Sequence, residues 1–264
     1  MTTSTLQDQL QDRAWPYPRW VAHRGAGKLA PENTLAAFRA GAAHGYRMFE
    51  CDVKLSEDGV PFLLHDATLS RTTNASEALD PDLSDVAGEH SWATLALLDA
   101  GSWHSRGFAG EPLPTLCAVA HYCLRNGFFL NIEIKPSPGT EFLTGQVVAD
   151  HAAQLWQGAA VPPLLTSFEV PALEGARQAQ PDLPRGLLLD TLTDGWLEAA
   201  LRLECVAVVC NHLLWNASSV AQAKTAGLRV LSYTVNEAAA AQRLIALGTD
   251  GIITDRVDLF APAA

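Results

Sequence analysis

Three acidic residues lie in short apolar runs of the sequence, near the point where each run ends. Glu50 and Asp52 lie two residues apart in one run, and Glu133 lies in a later one. Side chains two residues apart on a strand share a face, so Cys51 faces the opposite way. Three carboxylates that meet in one pocket offer the hard oxygen ligands that Mg²⁺ or Ca²⁺ binds. The pattern therefore predicts one divalent cation, Mg²⁺ or Ca²⁺, held by Glu50, Asp52 and Glu133.

Basic residues also lie at the ends of such apolar runs. His23 and His65 are suited to acid/base catalysis, since an imidazole titrates near neutral pH. Arg24 follows His23, and a guanidinium can bind a phosphate through two parallel hydrogen bonds. Lys135 lies two residues after Glu133 and shares its face. Together these side chains indicate metal-assisted chemistry on an anionic substrate that carries a phosphate.

Each of these residues also has a purely structural alternative. The carboxylates would then pair separately with Arg or Lys side chains at the rim of the fold. A histidine at the end of a strand is often a structural hydrogen-bonding group. Arg24 would form a salt bridge with Glu50 or Glu133, and such a bridge is compatible with phosphate binding.

A parallel sheet is the frame that would bring these strand ends together. Short apolar runs alternate with helical patterns, which is typical of repeated βαβ units. The runs predict strands over 19–23, 46–53, 60–65, 128–135, 163–168, 185–189, 206–210, 228–235 and 251–254. Helices are predicted over 33–45, 114–126, 141–157, 169–179, 193–204, 216–226 and 237–247.

The segment 60–65 is one strand more than an eight-stranded barrel needs. It follows its predecessor after four residues that end in Asp58-Gly59, which is a hairpin signal, and Pro61 is typical of an edge strand. Counting back from this turn places residue 65 opposite residue 50. The other eight strands predict an α/β fold, a (βα)8 TIM barrel, in which the active site lies at the carboxyl ends of the strands.

Residues 66–112 interrupt the alternation and are rich in Ser, Thr, Asp, Gly and Trp. Long irregular segments in a compact domain are usually functional or form a small unit of their own. We expect a single domain over 1–264 with an inserted subdomain, 66–112, on the rim of the active site. The alternative is a surface excursion without a function.

Composition narrows the possible partners and the location. The chain has 18 Lys and Arg against 29 Asp and Glu, a net charge of −11, which argues against nucleic acid and anionic membranes as partners. No apolar run is long enough for a membrane span, and the polar first twenty residues do not resemble a secretory signal. Five cysteines without a CxxC pair do not suggest a disulfide framework. We therefore expect a cytoplasmic protein with a small-molecule partner and no membrane insertion.

Several motifs follow one another in a fixed order along residues 21–255. They are His23-Arg24-Gly25, Pro31-Glu32-Asn33-Thr34, Glu50-x-Asp52-Val53, Asp58-Gly59, His65-Asp66, Glu133-Ile134-Lys135, Ser167-Phe168, Thr234-Val235-Asn236 and Asp250-Gly251-Ile252-Ile253-Thr254-Asp255. In this combination the sequence resembles the glycerophosphodiester phosphodiesterase family, above all its short cytoplasmic bacterial members. The resemblance implies a (βα)8 barrel with an insertion after the second strand.

The same resemblance implies roles for individual residues. Glu50, Asp52 and Glu133 would hold a divalent cation, and His23 and His65 would be the acid/base pair. Arg24 and Lys135 would contact the phosphate, whereas Ser167, Phe168 and Tyr233 would line the pocket. Asn33 is expected to cap the first helix.

The implied reaction is the metal-dependent hydrolysis of a glycerophosphodiester to glycerol 3-phosphate and an alcohol. Two departures from the family pattern occur: Tyr233 stands where Trp is more frequent, and Arg256 stands where Pro is common. Two rival interpretations are a barrel enzyme that cleaves phospholipid itself and a non-catalytic protein that binds phosphodiesters.

Overall fold

Eight parallel strands form a closed barrel in the computed structural model, which describes residues 15–262. The barrel closes because the first strand pairs with both the second and the last strand in parallel. The strands are β1 (Trp20–Ala22), β2 (Met48–Leu55), β3 (Pro61–Leu63), β4 (Phe129–Ile134), β5 (Leu164–Ser167), β6 (Arg185–Leu189), β7 (Ala207–Asn211), β8 (Arg229–Tyr233) and β9 (Gly251–Thr254). The predicted TIM barrel is confirmed, with β3 outside the barrel.

Within residues 15–262, seven helices of seven or more residues cover the outside of the barrel, at the places where the sequence predicts them. Two single-turn α-helices, α2 (Ala75–Ala78) and α3 (Trp92–Leu95), lie within the segment 66–112. The helices are α1 (Leu35–Ala43), α2 (Ala75–Ala78), α3 (Trp92–Leu95), α4 (Leu116–Asn126), α5 (Glu141–Leu155), α6 (Val170–Ala179), α7 (Trp196–Arg202), α8 (Ala217–Thr225) and α9 (Ala238–Leu247).

The extra strand β3 forms the predicted antiparallel hairpin with β2. Its register differs from the prediction by one residue, because Val53 pairs with Leu63, which would set residue 65 opposite 51 and not 50. The difference does not turn His65 away from the barrel mouth. The strand ends at Leu63, and His65 lies in the bend that follows, where strand alternation no longer decides its direction.

One side of β2 packs against the helices and the other faces the barrel interior. Cys51 is fully buried in the apolar layer between barrel and helices, with Phe38 and Cys123 in the same cluster. The interior below the acidic residues is filled by apolar side chains from several strands, including Val21, Met48, Leu164, Val209, Leu231 and Ile253. The carboxylates therefore lie above a solid apolar floor.

The segment 66–112 encloses a small apolar cluster of its own, built on β3. Its members are Phe62, Leu64, Leu69, Ala75, Ala87, Leu95, Leu98, Ala100 and Leu113. The segment also contacts the loop after β1, where His104 Nε2 lies 3.0 Å from the carbonyl oxygen of Lys28.

The expectation that the first twenty residues are not a secretory signal falls mostly on residues outside the described range. Within residues 15–262, no helix combines the length and the apolar character needed to cross a bilayer.

Candidate active site

The three acidic residues meet at the carboxyl end of the barrel strands. Strands β2 and β4 are neighbours, and their register places Asp52 beside Glu133 and Glu50 beside Asn131. One oxygen atom from each of Glu50, Asp52 and Glu133 lies within 4.8 Å of the others. All three residues are buried, with exposed fractions of 2%, 1% and 8%.

The chemistry of this acidic cluster fits a bound cation. Glu50 Oε1 and Asp52 Oδ1 are buried and accept no hydrogen bond from the described residues. Burial, reinforced by the charge of Asp52, raises the pKa of Glu50 and raises that of Glu133 to about 7. Burial alone would also raise the pKa of Asp52, but the charge of Arg24 and other favourable contacts hold it below its ordinary value. A divalent cation would supply the missing partner for these oxygens and remove the repulsion between them.

His23 follows β1 and is held by an acidic residue from the far end of the chain. Its Nδ1 atom lies 2.6 Å from Asp255 Oδ1, and its Nε2 atom lies 3.8 Å from Glu50 Oε2. Asn236 donates from Nδ2 to the other oxygen of Asp255 at 2.9 Å. This arrangement directs Nε2 of His23 towards the acidic cluster.

His65 has a similar partner, supplied by the next residue. Its Nδ1 atom lies 2.7 Å from Asp66 Oδ1. Asp66 in turn accepts hydrogen bonds from Arg71, in the segment 66–112. Burial lowers the pKa of His65; the charge of Asp52 opposes this shift and that of Arg24 adds to it. Asp66 thus holds the His65 ring from its Nδ1 side, as Asp255 holds the ring of His23.

Arg24 contacts the acidic cluster through both its backbone and its side chain. Its backbone N–H donates to Glu50 Oε2 at 2.9 Å, its Nη1 donates to Glu32 Oε1 at 2.8 Å, and its Nε lies 3.3 Å from Asp52 Oδ2. The residue adopts a left-handed backbone conformation with φ of 50°, which is uncommon for residues with a side chain and typical of functional loops. The salt bridge considered from the sequence therefore exists, but with Glu32 and Asp52.

Asn33 also adopts a positive φ, of 59°, and does not cap the first helix. Thr34 is the cap, and its hydroxyl accepts from the backbone N–H of Ala37. Asn33 instead donates from Nδ2 to Asp52 Oδ2 at 2.8 Å and accepts from the backbone N–H of Asp52 at 3.1 Å. The prediction that Asn33 caps the first helix is therefore wrong, and the Asn33 side chain instead holds Asp52 in place.

Glycine is required where the loop after β1 meets the loop after β9. Gly27 has a φ of 57°, and a Cβ atom there would overlap the backbone of Asp255. The close approach of the two loops lets His23 and Asp255 meet.

Aromatic side chains form one wall of a narrow cleft beside the acidic cluster. The cleft is lined by His23, Glu50, Asn131, Glu133, Phe168, Leu188, Tyr233 and Ile253. Phe168 and Tyr233 pack edge to face with ring centroids 5.7 Å apart. Lys135 Nζ lies 5.6 Å from the centroid of Phe168 and 3.0 Å from Glu133 Oε1.

Ser167 is not brought into this cleft. It is fully buried, its hydroxyl donates to the carbonyl oxygen of Ile134 at 2.7 Å, and it accepts from the backbone N–H of Glu169 at 3.1 Å. Its side chain ties the end of β5 to the end of β4 and begins the turn into α6.

The sequence model of the Glycerophosphoryl diester phosphodiesterase family matches residues 23–259. This chain belongs to that family. By its family, the protein is a phosphoric diester hydrolase.

Individual relatives agree with the family match over nearly the whole chain. A glycerophosphodiester phosphodiesterase of Caldanaerobacter subterraneus subsp. tengcongensis is 31% identical over 240 residues, which are 89% of this chain and 93% of the relative. The structure of an Oleispira antarctica phosphodiesterase in complex with the product sn-glycerol-3-phosphate is 31% identical, with a TM-score of 0.81 over 90% of this chain and 93% of that one. A glycerophosphodiester phosphodiesterase from Agrobacterium tumefaciens is 27% identical, with a TM-score of 0.77 over 93% and 100%.

Several residues near the site have roles that the sequence alone did not predict. Asp255 and Asn236 hold His23, and Glu32 holds Arg24. All three belong to motifs that carry the family resemblance, so the sequence could have indicated that they lie near the site. Arg71 belongs to none of the quoted motifs, and only the folded structure shows that it contacts Asp66 and Glu32.

Proposed function

We propose that the protein hydrolyses glycerophosphodiesters to glycerol 3-phosphate and an alcohol, with one divalent cation in the acidic cluster. The observation that carries this proposal is a buried set of three carboxylates, with oxygens that lack hydrogen bonds, beside two histidines that are each paired with an aspartate. The Oleispira antarctica relative, bound to sn-glycerol-3-phosphate, supports the class of product.

Glu50, Asp52 and Glu133 would hold the cation. Because these ligands supply oxygen atoms only, a hard ion such as Mg²⁺ or Ca²⁺ suits them better than Zn²⁺. When bound, such a cation polarises the phosphoryl oxygens and offsets the negative charge that develops on them.

His23 and His65 are proposed as the acid/base pair. Each Nδ1 atom faces a carboxylate, which only accepts hydrogen bonds, so Nδ1 carries the proton and Nε2 is left for chemistry. One neutral imidazole takes a proton at Nε2 from the oxygen that attacks phosphorus. The other, protonated, donates a proton to the alkoxide that leaves as the bond from phosphorus to the ester oxygen breaks.

Arg24 and Lys135 are proposed to bind the phosphate. Both cations lie beside the acidic cluster, within 3.3 Å of Asp52 and 3.0 Å of Glu133 respectively. Phe168 and Tyr233 would form the apolar wall against which the carbon skeleton of the substrate packs. The hydroxyl of Tyr233 donates to the carbonyl oxygen of Leu189 at 3.0 Å, so the ring is held in place.

We further propose that 66–112 is an inserted subdomain of a single domain over 1–264 and that it walls one side of the site. Its contacts with Glu32 through Arg71 and with Lys28 through His104 support this position. The net charge of −11 favours small diesters over anionic lipid surfaces and nucleic acid. A cytoplasmic location fits the five cysteines, which are all free.

A comparison of substrates tests the proposal. Glycerophosphocholine and phosphatidylcholine vesicles are supplied at equal concentration with Mg²⁺ or Ca²⁺, and phosphorus NMR identifies the products. We expect glycerol 3-phosphate from glycerophosphocholine and much slower cleavage of the vesicles. Faster cleavage of the vesicles would favour the phospholipase interpretation, and binding without turnover of either substrate would favour a non-catalytic protein.

A further inference from the structure

Arg71 lies in the segment 66–112 and has no part in the reaction as proposed. Its guanidinium nevertheless contacts two carboxylates at once. Nη1 and Nη2 donate to the two oxygens of Glu32, at 3.0 and 2.7 Å. Nε and Nη2 donate to the two oxygens of Asp66, with Nη2 at 3.0 Å. One planar side chain thus joins two acidic residues through four hydrogen bonds.

Each of these carboxylates also holds a residue of the proposed site. Asp66 Oδ1 lies 2.7 Å from Nδ1 of His65, and Glu32 Oε1 accepts from Nη1 of Arg24 at 2.8 Å. A continuous series of polar contacts therefore runs from His65 through Asp66, Arg71 and Glu32 to Arg24. It links the proposed acid/base group that follows β3 to the proposed phosphate ligand that follows β1.

We propose that Arg71 is a positioning residue, which fixes His65 through Asp66 and Arg24 through Glu32. The inference rests on the proposed function for its effect on catalysis. Two carboxylates that each hold a functional group must themselves be kept in one orientation, and hydrogen bonds from a second layer of residues do this in many sites. Without Arg71, Asp66 and Glu32 would each lose the donor that fixes their plane.

The geometry separates Arg71 from an ordinary surface ion pair. Its side chain is 43% exposed, and a single pair at such exposure contributes little to stability. Four hydrogen bonds from one guanidinium, however, impose a specific arrangement on both acids. A lysine would keep the charge but not the planar arrangement of donors, so Arg71→Lys is not a conservative change here.

His23 provides an internal comparison. Its partner Asp255 follows β9 and is held by Asn236, and no contact among the described residues joins that pair to Arg71. Loss of Arg71 should therefore alter His65 and leave His23 unchanged.

The first test is kinetic, with glycerophosphocholine as the substrate. We expect Arg71→Ala to lower kcat by about 10–100-fold, the range typical of lost second-layer contacts, and to raise KM because Arg24 is released. Added guanidinium should restore part of the activity of Arg71→Ala, whereas Arg71→Lys should stay impaired. Ser70→Ala is the matched control. The Ser70 hydroxyl donates to Asp85 at 2.8 Å, outside the series of contacts from His65 to Arg24, so this variant should behave like the wild type.

The second test reads the position of His65 without any turnover. Nitrogen NMR of the imidazoles, with His65 assigned from a His65→Ala variant, should show the Nδ1–H form of His65 in the wild type and its loss in Arg71→Ala. The His23 signals should not change. An unchanged His65 spectrum, or equal changes in both histidines, would overturn the positioning role. If the wild type hydrolyses no diester, the proposed function fails, and the spectrum still decides the role of Arg71.

Discussion

His23 and Asp255 are separated by 232 residues in the sequence, yet His23 Nδ1 lies 2.6 Å from Asp255 Oδ1. Closure of the barrel brings them together, because β1 and β9 are neighbours and Ala22 pairs with Thr254. Burial would raise the pKa of Asp255, but its hydrogen bonds to His23 and Asn236 lower the pKa to about 2. The carboxylate is therefore ionised at neutral pH, and it fixes the His23 ring with Nε2 towards the acidic cluster.

Asp255→Asn should impair catalysis by releasing His23. The neutral amide no longer stabilises a protonated imidazole and can donate to Nδ1, which would favour the wrong tautomer. We expect kcat to fall by roughly 10–100-fold or more, with little change in KM. Asp258→Asn serves as the control, because Asp258 forms an exposed ion pair with Arg256. Equal kcat values for the two variants would show that Asp255 does not position the catalytic ring.

His23→Ala and His65→Ala should each lower kcat by roughly 10²–10⁴-fold, the usual contribution of a positioned acid or base. Both residues lie at the barrel mouth rather than in the apolar core, so the variants should fold. Steady-state kinetics together with thermal unfolding checks both points, and His121→Ala on the outer helix α4 is a control. A variant that keeps most of its kcat would mark that histidine as structural.

Much of this architecture follows from local sequence patterns. Strand alternation placed Glu50 and Asp52 on one face and Cys51 on the other, and the structure shows this arrangement. The short Asp-Gly connection excluded a crossover helix, which identified the extra strand as a hairpin. These inferences succeed because the periodicity of a strand and the length of a connection are local properties.

Other features depend on loops and on contacts that span the whole barrel. Arg24 and Asn33 adopt positive φ values that no pattern of residue types predicts. Asn33 therefore binds Asp52, whereas Thr34 takes the cap position. The contacts of Arg71 with Glu32 likewise join segments 39 residues apart. The strand register was wrong by one residue because turn chemistry alone does not fix it.

The stability of the metal-free protein should depend on the protonation of Glu133. Burial and the charge of Asp52 raise its pKa to about 7, above the ordinary Glu value of about 4.3. Between these values the folded state binds more protons than the unfolded state, so this residue contributes stability at low pH that is lost as pH rises. Without metal, the melting temperature of the wild type should therefore fall relative to that of Glu133→Gln as the pH rises from about 5 to about 7.

Glu57→Gln is the control for this experiment, since the Glu57 side chain is exposed. It should show no such change with pH relative to wild type. Saturating Mg²⁺ or Ca²⁺ should reverse the trend for the wild type, because the cation binds the ionised carboxylate and stabilises the folded state. A difference between wild type and Glu133→Gln that stays constant with pH would show that this carboxylate is not in a repulsive buried cluster.

Removal and return of the metal tests the central claim most directly. The protein is dialysed against a chelator, and release of glycerol 3-phosphate from glycerophosphocholine is measured before and after Mg²⁺ or Ca²⁺ is added, with unfolding followed in parallel. We predict that turnover stops without the metal while the barrel stays folded, since its apolar core does not depend on the ion, and that the added cation restores the rate. Full turnover in excess chelator would contradict the account.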